Sequence, residues 1–193
     1  MKKSLMVYYI CCSHQKGTML MIRLIIGGSG SGKSDYAEQL LKDSHKKIYL
    51  ATMPHNDANY SRIERHIRRR ADKGFVTIEK SRDFAQLEIP HGASVLLEDL
   101  PNLLANEMFL LNGTVNEDAY ETVEADLTAL MEQTDDLVIV TDDIFCSGME
   151  YDIFTEKYMQ ILGELQAWIA GRGTVIEVIA GIAIGDSDEQ RKI

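Results

Sequence analysis

The chain has 193 residues, three cysteines and a formal net charge of -10, a length that suits one domain burying roughly 70% of the surface its unfolded form exposes. That charge argues against general nucleic-acid binding, which needs an extended basic surface to displace counterions. Cys11, Cys12 and Cys146 form neither a zinc spacing nor a disulfide framework, which suits a reducing cytoplasm, and no run approaches the ~20 apolar residues of a membrane span.

Residues 1 to 20 stand apart from the pattern that follows. Lys2 and Lys3 precede the short apolar run Leu5 to Cys12, yet no small-residue cleavage site follows, so the segment reads as an extension ahead of a start at Met19 or Met21. A single domain is expected over 21–185, with a polar tail over 186–193. Its first strand begins at Met21 and runs into Gly27-Gly28-Ser29-Gly30-Ser31-Gly32-Lys33-Ser34. Gly27, four residues, Gly32, Lys33 and Ser34 match the phosphate-binding P-loop, with a strand before it and a helix after it. Backbone N–H groups can then face an anion without Cβ atoms intervening, while Lys33 reaches the outer phosphates and the Ser34 hydroxyl ligates Mg²⁺. A Gly/Ser linker would not sit between a strand and an amphipathic helix whose Ala37, Leu40 and Leu41 share one face. A helix N-terminus contributes only ~0.3 to 2 kcal/mol toward an anion, whereas micromolar affinity needs about 8. Lysine, metal and several N–H groups must act together, and a nucleoside triphosphate with Mg²⁺ is the natural ligand.

Lys47 to Thr52 is a short β-rich run ended by Pro54. Tyr60 to Asp72 reads as a strongly basic helix, Phe75 to Ile78 as a strand, and Ala93 to Leu97 as a buried strand ending at Glu98 and Asp99. Pro101 opens the next helix, and acidic helical sequence runs from Glu117 to Glu132. Leu137 to Val140 is a further apolar strand ending in Thr141-Asp142-Asp143, Tyr151 to Ala170 is helical, Gly171 stops it, and Val175 to Ile179 is the last strand. Strands apolar on both faces, alternating with helices, predict an α/β fold with a mostly parallel sheet and helices on both faces. Ligands in such a sheet gather beyond the carboxyl ends of the strands. This brings the P-loop, Thr52, Glu98/Asp99 and Asp142/Asp143 to one rim, where an acid can complete the Mg²⁺ site that Ser34 begins. The competing role for at least one acid of each pair is a helix cap or turn residue.

In Arg62 to Arg70, "RIERHIRRR", a period of 3.6 lines up Arg62, His66, Arg69 and Arg70 near one stripe while Ile63 and Ile67 point elsewhere. Guanidinium groups one turn away disfavour the cationic form of His66, leaving a neutral, nucleophilic imidazole, and the same arginines can bind the phosphates it attacks. A solvated charged helix face is the commoner role of such a run, and the residues alone do not overturn it.

From Met21 to about Ile184 the chain resembles the bifunctional adenosylcobinamide kinase / adenosylcobinamide-phosphate guanylyltransferases, a family with a P-loop NTPase fold that acts in cobalamin synthesis. The resemblance is carried by "GGSGSGKS", "YLAT" at Tyr49 to Thr52, Arg62-Ile63 followed by His66, Arg70, and "FVTIE" ending at Glu79. It continues through "LLE" at Leu96 to Glu98, Asn106, "VIVT" before the 142 loop, and "IAGI" around Gly181. It implies phosphorylation of the adenosylcobinamide hydroxyl from ATP or GTP, then transfer of GMP from GTP through His66 to that phosphate. It also implies that Lys33 and His66 are catalytic and that Gly27, Gly28, Ser29, Gly30, Ser31, Gly32, Lys33, Ser34, Thr52, Arg62, Arg70, Glu79 and Glu98 contact nucleotide. Ser34 and Glu98 would hold Mg²⁺, and a cytoplasmic homo-oligomer is expected by analogy. The chain departs from the family at Asn56 to Asn59, where an acidic Asp-Glu-Met stretch is usual, and at Thr141 to Phe145, where Thr-Asn-Glu-Val-Gly is usual. The helix Tyr151 to Ala170 also lacks the family's arginine and asparagine.

Overall fold

A computed structural model of the chain describes residues 20–54, 73–145 and 148–185. The helix read over Tyr60 to Asp72, with Arg62, His66 and Arg70, lies outside the described residues, as do the extension before Leu20 and the tail after Gly185. Seven strands form one sheet: β1 Met21–Gly27, β2 Lys47–Ala51, β3 Phe75–Glu79, β4 Ser94–Glu98, β5 Asp136–Asp142, β6 Thr174–Ile179 and β7 Ile182–Ile184. Four helices accompany it among the described residues: α1 Lys33–Leu40, α2 Leu100–Met108, α3 Ala119–Met131 and α4 Ile153–Ala170.

The strand order is β3-β2-β4-β5-β1-β6-β7. All pairings are parallel except β6 with β7, so the predicted α/β class and mostly parallel sheet are observed. Val175 to Ile179 is not the last strand. Ala180 and Gly181 take positive φ and turn the chain back into β7, a three-residue antiparallel edge too short to show a period in sequence.

The central strands are buried on both faces because both faces are covered. Ile22, Leu24, Val95, Leu97, Leu137 and Ile139 pack on one side against Leu100, Leu103 and Leu104 of α2, Val123, Leu127 and Leu130 of α3, and Leu162, Leu165 and Ile169 of α4. Ile25, Leu96, Val138, Val140, Ile176 and Val178 pack on the other with Ala37 and Leu41 from the α1 end. Each fully buried aliphatic side chain contributes roughly 1.5 to 3 kcal/mol, which fixes the sheet and hence the order of strand ends along its rim.

Caps place the helices. The Asp99 carboxylate accepts from Asn102 N at 2.8 Å and starts α2, with Pro101 in the first turn. Asp152, unmarked by the sequence reading, starts α4 by accepting from Phe154 N and Thr155 N. Gly171 ends α4 at an ordinary φ of -67°, so its effect is low helix propensity rather than a left-handed cap.

Candidate phosphate and nucleotide site

The sheet register brings the site together. Gly27 at the end of β1 stands level with Asp142 at the end of β5, and Ala51 of β2 stands level with Glu98 of β4. Beyond Gly27 the chain wraps into a loop in which Ser31 N donates to Gly28 O at 3.1 Å, and Gly32 opens α1 at φ 90°. Gly27 answers a close approach, since a Cβ there would meet Val178 O at 2.5 Å. The β6–β7 turn supports the loop from the same side, with Gly181 N donating to Ser31 O at 2.7 Å. A cleft of about 300 Å³ opens over this loop, lined by Gly30, Ser31, Gly32, Lys33, Ser34, Asp35 and Glu38.

Lys33 Nζ lies 2.6 Å from Asp142 Oδ1 and 3.2 Å from Gly28 O. Its charge is thus held at the loop by a carboxylate that a phosphate group can replace. Ser34 Oγ donates to Glu98 Oε1 at 2.6 Å, while Glu98 Oε2 is buried without a protein partner. The Glu98 carboxyl is raised to about 7, chiefly by burial and also by Asp99, against the opposing Ser34 hydroxyl and Lys33 charge. Burial likewise raises the Asp99 carboxyl, against the hydrogen bonds from Asn102.

These groups fit Mg²⁺. A hydroxyl touching a buried carboxylate whose second oxygen has no partner is half of a cation site. Among the described residues no group of three or more His, Cys, Asp or Glu could hold a metal by itself, as expected where phosphates and water supply the remaining ligands.

The other rim candidates divide by geometry. Asp99 is a helix cap. Asp143 accepts from Phe145 N at 3.3 Å, a turn role, while its own N donates to Gly27 O at 3.2 Å. Thr52 is fully buried and its hydroxyl is bonded to main-chain groups of Glu98 and Asp99. It therefore stands behind the site, because its hydroxyl is taken up by Glu98 and Asp99 and its carbonyl by Asn106. Glu79 ends the edge strand β3, four strands from β1, about 19 Å away at the usual strand spacing, so the sheet does not bring it to the P-loop. The pairing of Lys33 with Asp142 was not read from the sequence. The available signal was that two apolar strands end on the same rim, in Gly27 and in Asp142; that they end level is set by the sheet pairing.

The sequence model of the family described as cobinamide kinase / cobinamide phosphate guanyltransferase matches residues 23–185. The chain is similar to the bifunctional adenosylcobalamin biosynthesis protein CobU of Escherichia coli (strain K12), with 26% identity over 179 residues, covering 85% of this chain and 98% of that protein. Among solved structures it is similar to the P4 protein from bacteriophage φ6 in complex with ADP, at a TM-score of 0.36 and 11% identity, covering 87% of this chain and 54% of that one.

Proposed function

Because the chain belongs to the cobinamide kinase / cobinamide phosphate guanyltransferase family, we propose that it phosphorylates adenosylcobinamide from ATP or GTP and then transfers GMP from GTP to the new phosphate. The observation that carries the kinase half is the pair of contacts at the P-loop, Lys33 to Asp142 and Ser34 to Glu98. In this reading Lys33 leaves Asp142 for the outer phosphates, and the loop N–H groups fix the chain of phosphates. Ser34 and Glu98 would hold Mg²⁺, which when bound would neutralise charge on the phosphate oxygens. The corrinoid hydroxyl oxygen attacks the γ-phosphorus as the bond to the β,γ-bridging oxygen breaks, the nucleoside diphosphate leaves and the hydroxyl proton passes to solvent.

For the second step, a His66 imidazole nitrogen attacks the α-phosphorus of GTP and pyrophosphate leaves. An oxygen of the corrinoid phosphate then displaces the imidazole, giving adenosylcobinamide-GDP. Arg62 and Arg70 offset charge on the phosphates, a role worth about 10³ to 10⁵ in rate where arginines act on phosphoryl groups. These three residues enter through the family resemblance. The same reading makes the protein a cytoplasmic homo-oligomer acting on a corrinoid, without nucleic acid. The net charge of -10 supports the last point, and no described helix is long and apolar enough to cross a membrane.

The test separates the steps. Incubation with adenosylcobinamide and γ-labelled ATP is expected to label the corrinoid in wild type and not in Lys33→Ala. Incubation with α-labelled GTP and Mg²⁺ is expected to give a protein adduct that is acid-labile and base-stable, lost in His66→Ala while kinase activity stays. Labelled corrinoid without any adduct would make the protein a kinase alone. Tight nucleotide binding with neither product would make it a binding module.

A further inference from the structure

The Ser34 and Glu98 contact joins a helix to a strand end 64 residues away, and a separate set of hydrogen bonds holds that strand end. β2 stops at Ala51 and β4 at Glu98, so the ladder between them ends where the carboxylate has to be aimed. Thr52 continues it with its main chain and its side chain. Thr52 N donates to Glu98 O at 3.0 Å, and Asp99 N donates to Thr52 Oγ1 at 2.8 Å. Oγ1, with one proton to donate, lies 2.9 Å from Asp99 O and 3.1 Å from Glu98 O.

Asn106, on the last turns of α2, holds Thr52 in turn. Its Nδ2 donates to Thr52 O at 2.8 Å and to Ser81 O at 3.3 Å. Since α2 starts from the Asp99 cap, the contacts close a ring that runs from Thr52 to the Glu98–Asp99 corner, along α2 to Asn106, and back to Thr52. Glu98 is the member of that ring whose side chain leaves it, toward Ser34.

We propose that Thr52 and Asn106 are positioning residues of the metal-nucleotide site. They hold the Glu98 carboxylate against Ser34 and thereby set affinity for the divalent cation, touching neither cation nor nucleotide. The proposal rests on the reading of Ser34 and Glu98 as the cation pair. The physical reason is that a carboxylate ligates well only from a fixed backbone, and loss of groups that orient metal ligands typically weakens metal affinity about 10- to 100-fold.

The experiment uses the full chain with Mn²⁺ as probe, free Mn²⁺ being followed by electron paramagnetic resonance in the presence of a saturating non-hydrolysable GTP analogue. Thr52→Val is expected to weaken Mn²⁺ binding about 10-fold or more, Thr52→Ser to stay within about threefold of wild type, and Asn106→Ala to fall between them. Affinity for the analogue in EDTA is expected to change less than about twofold in all three, because the P-loop N–H groups and Lys33 are untouched. Wild-type Mn²⁺ affinity in Thr52→Val overturns the proposal. So does equal loss in Thr52→Ser, or a parallel loss of affinity in EDTA, which would show general damage. Should Thr52→Val fail to fold, wild-type Mn²⁺ affinity in Asn106→Ala overturns it on its own. Glu98→Gln is the control for the underlying reading, since unchanged Mn²⁺ affinity there removes the cation pair itself.

Discussion

Lys33 and Asp142 form a charge-assisted contact whose side chains are 11% and 34% exposed, so the lysine cannot meet a phosphate without giving up, or sharing, the carboxylate. Removing the competing charge is expected to help an anion, and Asp142→Asn should bind triphosphate about 3- to 10-fold more tightly by calorimetry, the scale of one charged hydrogen bond partly replaced. Weaker binding in that variant would place Asp142 on the cation instead. Glu98 carries the second residue-scale consequence. Its carboxyl, raised from 4.5 to about 7 chiefly by burial, binds its proton more tightly in the folded than in the unfolded chain. The stability this gives is full below pH 4.5 and is lost as pH rises through about 7. The whole effect is about 3 kcal/mol. In EDTA and without nucleotide, Glu98→Gln is therefore expected to melt several degrees above wild type at about pH 8 and to converge with it near about pH 4.5. A constant difference in Tm across that range would assign the effect to packing.

At the scale of elements, the P-loop takes its shape from β6 and β7 as well as from its own glycines. Gly27 lies against Val178 O, while nothing lies within 4 Å of a Cβ placed on Gly28. Gly27→Ala is accordingly expected to lower Tm by several degrees and nucleotide affinity by at least about tenfold, since an overpacked contact costs typically 1 to 3 kcal/mol. Gly28→Ala should leave Tm unchanged, and equal melting of the two variants would show that β6 does not hold the loop. The segment between β3 and β4 shows the same dependence on distant support. Its 3-10 turn, Phe84–Gln86, is fixed by the buried Asp126 of α3, whose Oδ1 accepts from Phe84 N at 2.8 Å. Nothing in the local sequence of either segment announces that bond, because 42 residues separate the partners.

For the whole molecule, the sheet closes both cores within the described residues. β1 lies between β5 and β6, and its first residue is already anchored, Met21 N donating to Asp135 O at 2.9 Å. Deletion of residues 1–18 is thus expected to change Tm by less than about 2 °C, within the ±0.5 kcal/mol of changes away from the core, and to leave the proposed corrinoid phosphorylation unchanged. A larger loss would show that the extension packs on the domain.

The sequence by itself determined the fold class, most strands and helices, and the P-loop with Lys33 and Ser34, because periodicity and a contiguous motif are local properties of the chain. It also placed Glu98 and Asp142 at strand ends, hence on one rim. The family resemblance pairs Glu98 with Ser34 at the cation, whereas the partner of Asp142 was decided by tertiary structure alone. Glu98 meets Ser34 and Asp142 meets Lys33 through sheet register between strands distant in sequence, while Asp99 caps α2 through a local bond to Asn102. Thr52 likewise reads as a ligand residue from its motif and becomes a buried tie once α2 covers it. A parallel sheet fixes such roles through non-local pairing, and the sequence of any one strand does not carry the register of its neighbours.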